Sequence, residues 1–319
     1  MKGLRKYLTP FAPDQSGAVS VLYELGGLTV IIDAGGCTGN VCGFDEPRWF
    51  DKRSAIFSAG LRDMDAILGR DDALIQKIVD ISDAFDANFI ALVGTPVPAV
   101  IATDYQGICH ILEKKIHKPV IYVPTTGVGL YDEGMEMAYL ALFEKFANNK
   151  PTSHTEAILG VTPLDFTHAF SLPTFNNFED FGCVGSLKKL YVASPAALKA
   201  AKRLHNRYGI DYEVRIPGLS LDIHDIHHIL FIGQQVIGHT LRQQLSIPFD
   251  IASFFMMKPT LREKGDVHLI EEDDLIELVK KNDYDMIIGD PIFKDMLQDY
   301  QGQYLELIHF AVSGRRDFS

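Results

Sequence analysis

The stretch Leu28–Phe50, LTVIIDAGGCTGNVCGFDEPRWF, decides how this chain is read. It opens as a buried strand over Leu28–Ala34, apolar and β-branched as far as Asp33. The strand breaks at Gly35-Gly36, and Cys37 and Cys42 follow with four residues between them, among Gly39, Asn40 and Gly43. Two of the chain's four cysteines therefore fall in one glycine-rich loop at the carboxyl end of a strand. Ligands bind at such places in open α/β sheets. Glycines there let backbone N–H groups come close to an anion or a sulfide. The pair reads as two thiolates on a metal or iron–sulfur centre, or as small residues in a tight loop or a local redox pair. A lone C-x4-C lacks the second pair that a closed zinc site needs.

Outward from this stretch the chain alternates short apolar runs with helical spacing. Ser16–Leu25 spaces Val19, Leu22 and Tyr23 as a helix and stops at Gly26-Gly27. After a short strand at Ser54–Ala59, Asp71–Phe85 repeats apolar residues near the 3.6 period. Strands are expected at Phe89–Gly94, Pro119–Val123 and Glu156–Val161, with helices at Ala99–Ile116 and Asp132–Asn148. The aromatic-rich stretch Thr162–Gly185 reads as an irregular crossover. A second set follows: strands Leu190–Ala193, Tyr212–Ile216, His228–Gly233, Asp250–Phe255, Asp285–Gly289 and Leu305–Val312. Its helices are a Ser194-Pro195 start running to Tyr208 with Gly209 as cap, Gln235–Leu245, Glu271–Lys281 and Pro291–Tyr300. The rhythm predicts an α/β protein of two doubly wound, Rossmann-like parallel-sheet domains, residues 1–185 and 186–319.

The 319 residues suit two ordinary domains or one large α/β unit. Apolar residues at 47% and charged residues at 23% match a globular protein with ample core. A net charge of −12 argues against nucleic-acid and anionic-membrane partners. No apolar run approaches the ~18–20 residues of a membrane span. The start, MKGLRKYLTPFAPDQSG, is positive but has no apolar run behind it, so a cytoplasmic location is expected. Four scattered cysteines make no disulfide framework.

The runs GLTVIIDAGGCTGN, GTPVPAVIATDYQGI and PVIYVPTTGVG resemble the first domain of the nitrogenase component 1 family. That family includes the dinitrogenase subunits, the dark-operative protochlorophyllide reductase subunits and the nickel-tetrapyrrole reductive cyclase. LKKLYVASPAALKAAKRLHNRYGIDYEV, ILFIGQQVIGHTLRQQL and IEEDDLIELVKKNDYDMIIGDPIF are similar to its later parts. No GxGxxG fingerprint is present for a nicotinamide reading. The resemblance implies a cluster held at a subunit interface by the strand–GC loop, with Cys37 as the carried-over cysteine and the loop at Thr95 facing it. It also shows departures. Thr9–Pro13 lacks the family's earlier cysteine, and Thr95 replaces that of the second loop. Ala193 stands where dinitrogenase ligates its active-site cofactor, and the sequence to Ser319 has no counterpart of that cofactor's histidine region. The resemblance thus implies no FeMo-type cofactor and no dinitrogen reduction.

Cys37 and Cys42 are left as the thiolates for a [4Fe–4S] cluster, with Gly36, Gly39, Asn40 and Thr95 around it. Two thiolates are half the set that such a cluster takes. A two-fold homodimer completes it, as does a heterodimer with a related subunit or a carboxylate such as Asp33 or Asp45. The resemblance implies a partner like nitrogenase reductase, an ATP-dependent iron protein, and a small-molecule substrate that the residues do not name. The alternatives are a scaffold for metallocofactor assembly and a metal-free small-molecule-binding protein. Thr125, Thr126 and Asn40 are candidates to donate into the cleft, and Glu46, Arg48 and Trp49 to line its entrance. Cys109 reads as a core thiol, Cys183 as a crossover residue with some claim on a site, and His239 as a cleft or helix-surface residue. His224, His227 and His228, with Asp222 and Asp225 between them, read as a solvated turn rather than a metal cluster.

Overall fold

A computed structural model describes residues 5–62, 64–65, 69, 71–96, 103–166 and 170–314. They gather into two compact units. The cysteine unit comprises Pro13–Ser153 and Phe175–Ser186; the second unit comprises Met1–Ala12, His154–Thr174 and Leu187–Ser319.

In chain order the cysteine unit contains α1 (Asp14–Leu22), β1 (Leu28–Ile31), α2 (Gly36–Asn40), β2 (Ile56–Ser58), α3 (Asp71–Ser82), β3 (Ile90–Val93), α4 (Tyr105–Ile116), β4 (Val120–Val123), α5 (Tyr131–Phe146) and α6 (Phe178–Cys183). The four strands are parallel in the order β2-β1-β3-β4. β1 is buried at every position, as a strand covered on both faces must be. On one face Val30, Ile90 and Leu92 meet Ile75 and Ile78 of α3 and Ile108 and Leu112 of α4. Each such side chain contributes about 1.5–3 kcal/mol on burial.

α1 is buried along its whole length, so it shows no one-sided apolar stripe. Its approach to α5 is set by two glycines. A Cβ on Gly17 would lie 1.8 Å from Tyr131 O, and one on Gly134 would lie 1.7 Å from Asp14 O. Nothing larger than glycine fits at either place. The crossover stretch is more ordered than its composition predicts, because α6 lays Phe178 on Phe89 and Phe181 on Phe143. Of the helix expected at 99–116, α4 forms the later part from Tyr105, with Asp104 accepting Gly107 N–H at 3.0 Å. Residues 99–102 of that expected span lie outside the described residues.

The second unit contains β5 (Glu156–Leu159), β6 (Lys189–Val192), α7 (Leu198–Tyr208), β7 (Asp211–Val214), β8 (Ile229–Ile232), α8 (Gln235–Arg242), β9 (Phe249–Ser253), β10 (Val267–His268), α9 (Glu272–Lys281), β11 (Met286–Gly289), β12 (Gln303–Glu306) and α10 (Phe310–Ser313). They form a three-stranded parallel sheet, β5-β6-β7, and a five-stranded one, β10-β9-β8-β11-β12. The parallel α/β class is the one expected, with its strands divided among three sheets.

Two late elements differ from expectation. The helix expected over Pro291–Tyr300 is only a tight turn, Pro291–Asp295, after which residues 296–302 fold back and Tyr300 donates its hydroxyl to Tyr284 O at 3.0 Å. The strand expected over Leu305–Val312 is instead β12, starting at Gln303, followed by α10. Asp290 is the reason: its carboxylate accepts His309 N–H and the Ser313 hydroxyl, which draws the chain out of the sheet.

Candidate functional site

In the cysteine unit, the chain leaves β1 for β2 on one side and returns for β3 on the other. The strand order therefore reverses between β1 and β3, and the crevice this leaves at their carboxyl ends is the default binding place of the fold. The cysteine stretch starts there. Gly35 turns the chain with φ 114, a conformation that suits only glycine. Beyond it the backbone is helical rather than the expected loop: α2, then a wider π turn over Val41–Asp45 closed by Glu46 N–H on Val41 O at 2.8 Å. Turns of this kind concentrate at functional sites.

Asp33 is what makes this stretch helical. Its buried carboxylate accepts Thr38 N–H at 2.7 Å, the Thr38 hydroxyl at 3.0 Å and the Ser58 hydroxyl at 2.6 Å. It thereby satisfies a first-turn donor that the helix itself cannot. Val41 buries fully and anchors the turn, leaving Cys37 and Cys42 half-buried on either side. Burial first, and then Asp33, pushes the Cys37 thiol up; burial, Glu46 and Asp33 do the same to Cys42. A metal bound by both sulfurs would release their two protons.

Gly36, Gly39 and Gly43 recur at i, i+3 and i+7 and so share one helix face. A Cβ at any of them would meet nothing within 4 Å, and none has a left-handed φ. A helical glycine costs about 1 kcal/mol relative to alanine. The unit's own packing therefore gives no use for three of them on one face. Phe44 and Phe50 are 74% and 72% exposed beside them, and Val128, after β4, is 84% exposed.

The other candidates are mostly occupied. Asn40 donates to Asp45 Oδ2 at 2.7 Å, where the Ser16 hydroxyl also arrives at 2.6 Å, and burial raises the Asp45 carboxyl. Thr95 is buried and gives its hydroxyl to Ile32 O at 2.6 Å; Thr125 gives its own to Gly94 O at 2.7 Å. Thr126 and Gly127 donate their N–H groups to Asp14. Glu46 and Arg48 do not line an entrance. They form a buried pair, Nε to Oε1 at 2.7 Å, with the guanidinium also on Ser20 O and over the Tyr23 ring. Arg48 is therefore closed to a docking partner. Trp49 is half-buried, with Arg53 over its ring.

Elsewhere, Cys109 lies on α4 with its thiol raised to about 11 by burial and Glu113. Cys183 ends α6 with its sulfur 3.6 Å from Pro151 O. The three histidines part: His224 pairs with Asp222 in solvent, His227 gives its N–H to Asp285, and His228 meets Asp250 Oδ2 at 3.0 Å. His239 on α8 contacts Gln243, and burial lowers its imidazole. Among the described residues, no three His, Cys, Asp or Glu side chains converge as a metal site, and no helix is long and apolar enough to cross a membrane.

A family model described as nitrogenase component 1 type oxidoreductase matches residues 16–221. The chain belongs to that family. A nitrogenase Cp1 structure determined at pH 6.5 superposes with a TM-score of 0.73 at 12% identity, covering 96% of this chain and 87% of that one. A second, at pH 5, gives 0.67 at 13% identity, covering 96% and 85%. At these identities the likeness is one of fold. Among curated proteins, none matches.

The family match spans Cys37, Cys42, Thr95 and Ala193. Of the two carboxylates that tie the crevice loops together, Asp14 is not conspicuous in this nitrogenase component 1 type sequence, and Asp33 stood out only as a possible ligand rather than as the group that holds the turn. A lone Asp at the end of an apolar strand, five residues before a Thr, is the signal that marks Asp33. The Glu46–Arg48 pair has only its i, i+2 charges to show for itself.

Proposed function

We propose that this chain is the substrate-reducing component of a nitrogenase-like, two-component redox system. Cys37 and Cys42 supply half the ligands of a [4Fe–4S] cluster. A second copy of the chain, or a related subunit, supplies the rest across an interface lined by Phe44 and Phe50. When bound, the cluster takes up and passes on single electrons, here from an ATP-dependent iron protein resembling nitrogenase reductase to a small molecule. One observation carries the reading: two half-buried thiols flank an open face of three glycines at the sheet's reversal point.

The residues fit such a group. The glycine face leaves room for an inorganic sulfide, and the first-turn N–H groups at Gly36 and Cys37 lie outside the helix's own ladder; contacts from such groups tune a cluster's potential. Asp33 holds the turn that carries both sulfurs, and Val41 pins it to the core. Ala193 is fully buried with its carbonyl on Gln234 Nε2 at 2.7 Å, and it offers no sulfur to a larger cofactor. This supports a substrate other than dinitrogen.

The test is iron and acid-labile sulfide on anaerobically purified protein, with an EPR spectrum after dithionite reduction and mass by light scattering. About four irons per dimer are expected, with a reduced-cluster signal that disappears in Cys37→Ala and in Cys42→Ala. A cluster-bound monomer, or no iron after anaerobic reconstitution, overturns the reading.

A further inference from the structure

A cavity of about 400 Å³ opens in the second unit at the amino ends of β11 and β12. That volume lies within the range of small-molecule sites. It sits at the edge of the sheet opposite to the one where such folds usually bind ligands, and the proposed redox chemistry makes no use of it.

Three segments build it. The arm before Pro10 brings Tyr7, held because the Glu272 carboxylate accepts the N–H groups of Lys6, Tyr7 and Leu8 at 2.8, 2.9 and 2.6 Å. The last turns of α9 add an aliphatic wall, Ile276 and Val279. Residues 296–302 bring Tyr300, laid against Tyr284 O; a Cβ on Gly302 would lie 2.2 Å from its hydroxyl, so this close approach needs glycine there. Tyr284 is buried, with its hydroxyl fixed on Asp250 Oδ2 at 3.0 Å. Three tyrosines from three segments thus line one concavity.

Its charge is set at the rim. Asp283 and Asp299 are exposed there, and neither carboxylate has a hydrogen-bond or ion-pair partner among the described residues. The carboxyl end of α9 adds partial negative charge, and the net charge of −12 draws cations from a distance. Lys280 is the single cation among the lining residues. One of these phenols already takes a cation at its polar edge: the Lys6 ammonium, just outside the lining, donates to the Tyr7 hydroxyl at 2.9 Å.

We propose that this cavity binds an organic cation, an amine or guanidinium on an apolar body. The charge meets Asp283, Asp299 and the tyrosine faces, and the body packs on Ile276, Val279 and Leu297. The site is independent of the cysteine turn and needs no iron.

Calorimetric titration of the full chain with phenethylamine, spermidine and argininamide, beside neutral 2-phenylethanol, tests it. At least one amine is expected to bind, and more tightly than the alcohol. The exposed double variant Asp283→Asn/Asp299→Asn is expected to weaken that amine about tenfold for each charge-assisted hydrogen bond removed. The alcohol should not change. If no cation binds, if alcohol and amines bind alike, or if the double variant binds as the parent does, the inference falls. The iron content of the protein is unaffected by any of these results.

Discussion

Two sheets of this molecule reverse strand order, and their reversal points have opposite characters. In the cysteine unit the crevice between β1 and β3 carries exposed glycines, half-buried thiols and exposed Phe44. In the five-stranded sheet the reversal falls between β8 and β11, and there the chain closes on itself. Gln234 accepts the N–H groups of Val236 and Ile237 while donating to Ala193 O. Fully buried Asp290 takes Ile292 N–H, His309 N–H and the Ser313 hydroxyl. One topology thus serves twice, once as an open socket and once as a structural knot. Fold does not assign function; the groups left unsatisfied at the strand ends do.

The largest effect expected from breaking this contrast is in the knot. Asp290→Ala strands three donors, two of them backbone, and should cost about 3 kcal/mol of stability. Denaturant melts will show it. Cys37→Ala in the socket should move the same melts of iron-free protein by less than about 1 kcal/mol. Equal losses would mean that the thiol is also structural.

A smaller effect is a pH dependence peculiar to the knot. Burial pushes the His309 imidazole down to about 4, against which Asp290 acts only partly. Its unfolded value is about 6.5. Between these values the unfolded chain binds a proton that the folded chain refuses, so stability falls as pH drops from about 6.5 toward 4. His309→Phe, which keeps the stack on Phe255, should flatten that limb of the stability–pH curve. An unchanged slope would assign the acid sensitivity elsewhere.

The smallest effect is the most discriminating for the socket. Gly39→Ala and Gly43→Ala should each stabilise the isolated chain by about 0.5–1 kcal/mol, because a Cβ meets nothing and the helix gains. The same changes should lower iron content or dimerisation. Stabilised variants with full iron and an intact dimer would show that nothing packs on that face.

Much of this was legible in the sequence, for physical reasons that differ by element. β1, β3 and β4 announce themselves because strands covered on both faces read as near-continuous apolar and β-branched runs. α9 does so because its acids and lysines lie at the ends its dipole favours. The cysteine turn was less legible. Gly-Gly followed by Thr, Gly and Asn reads as loop on local propensity, and the helix exists because a carboxylate three residues before its start reaches forward to it. Arg48 looked like a residue of the cleft entrance because charge is normally exposed; its burial depends on its neighbour Glu46 and on Ser20 and Tyr23 from the end of α1. Asp290's hold on Ser313 is of the same kind and turned an expected strand into a helical turn.

The clasp of Glu272 on residues 6–8 bears on how the protein is made. Leu8 and its acceptor are 264 residues apart in sequence. At a synthesis rate of about 5–20 residues per second, the arm leaves the ribosome roughly 13–53 s before its partner exists. During that interval all of the cysteine unit's chain, through Ser186, is already made, while Leu8 and Phe11 wait with no surface to cover them. Residues made early are thus among the last to find their place, so a bulky fusion ahead of the arm should disturb the final stage of maturation more than the first.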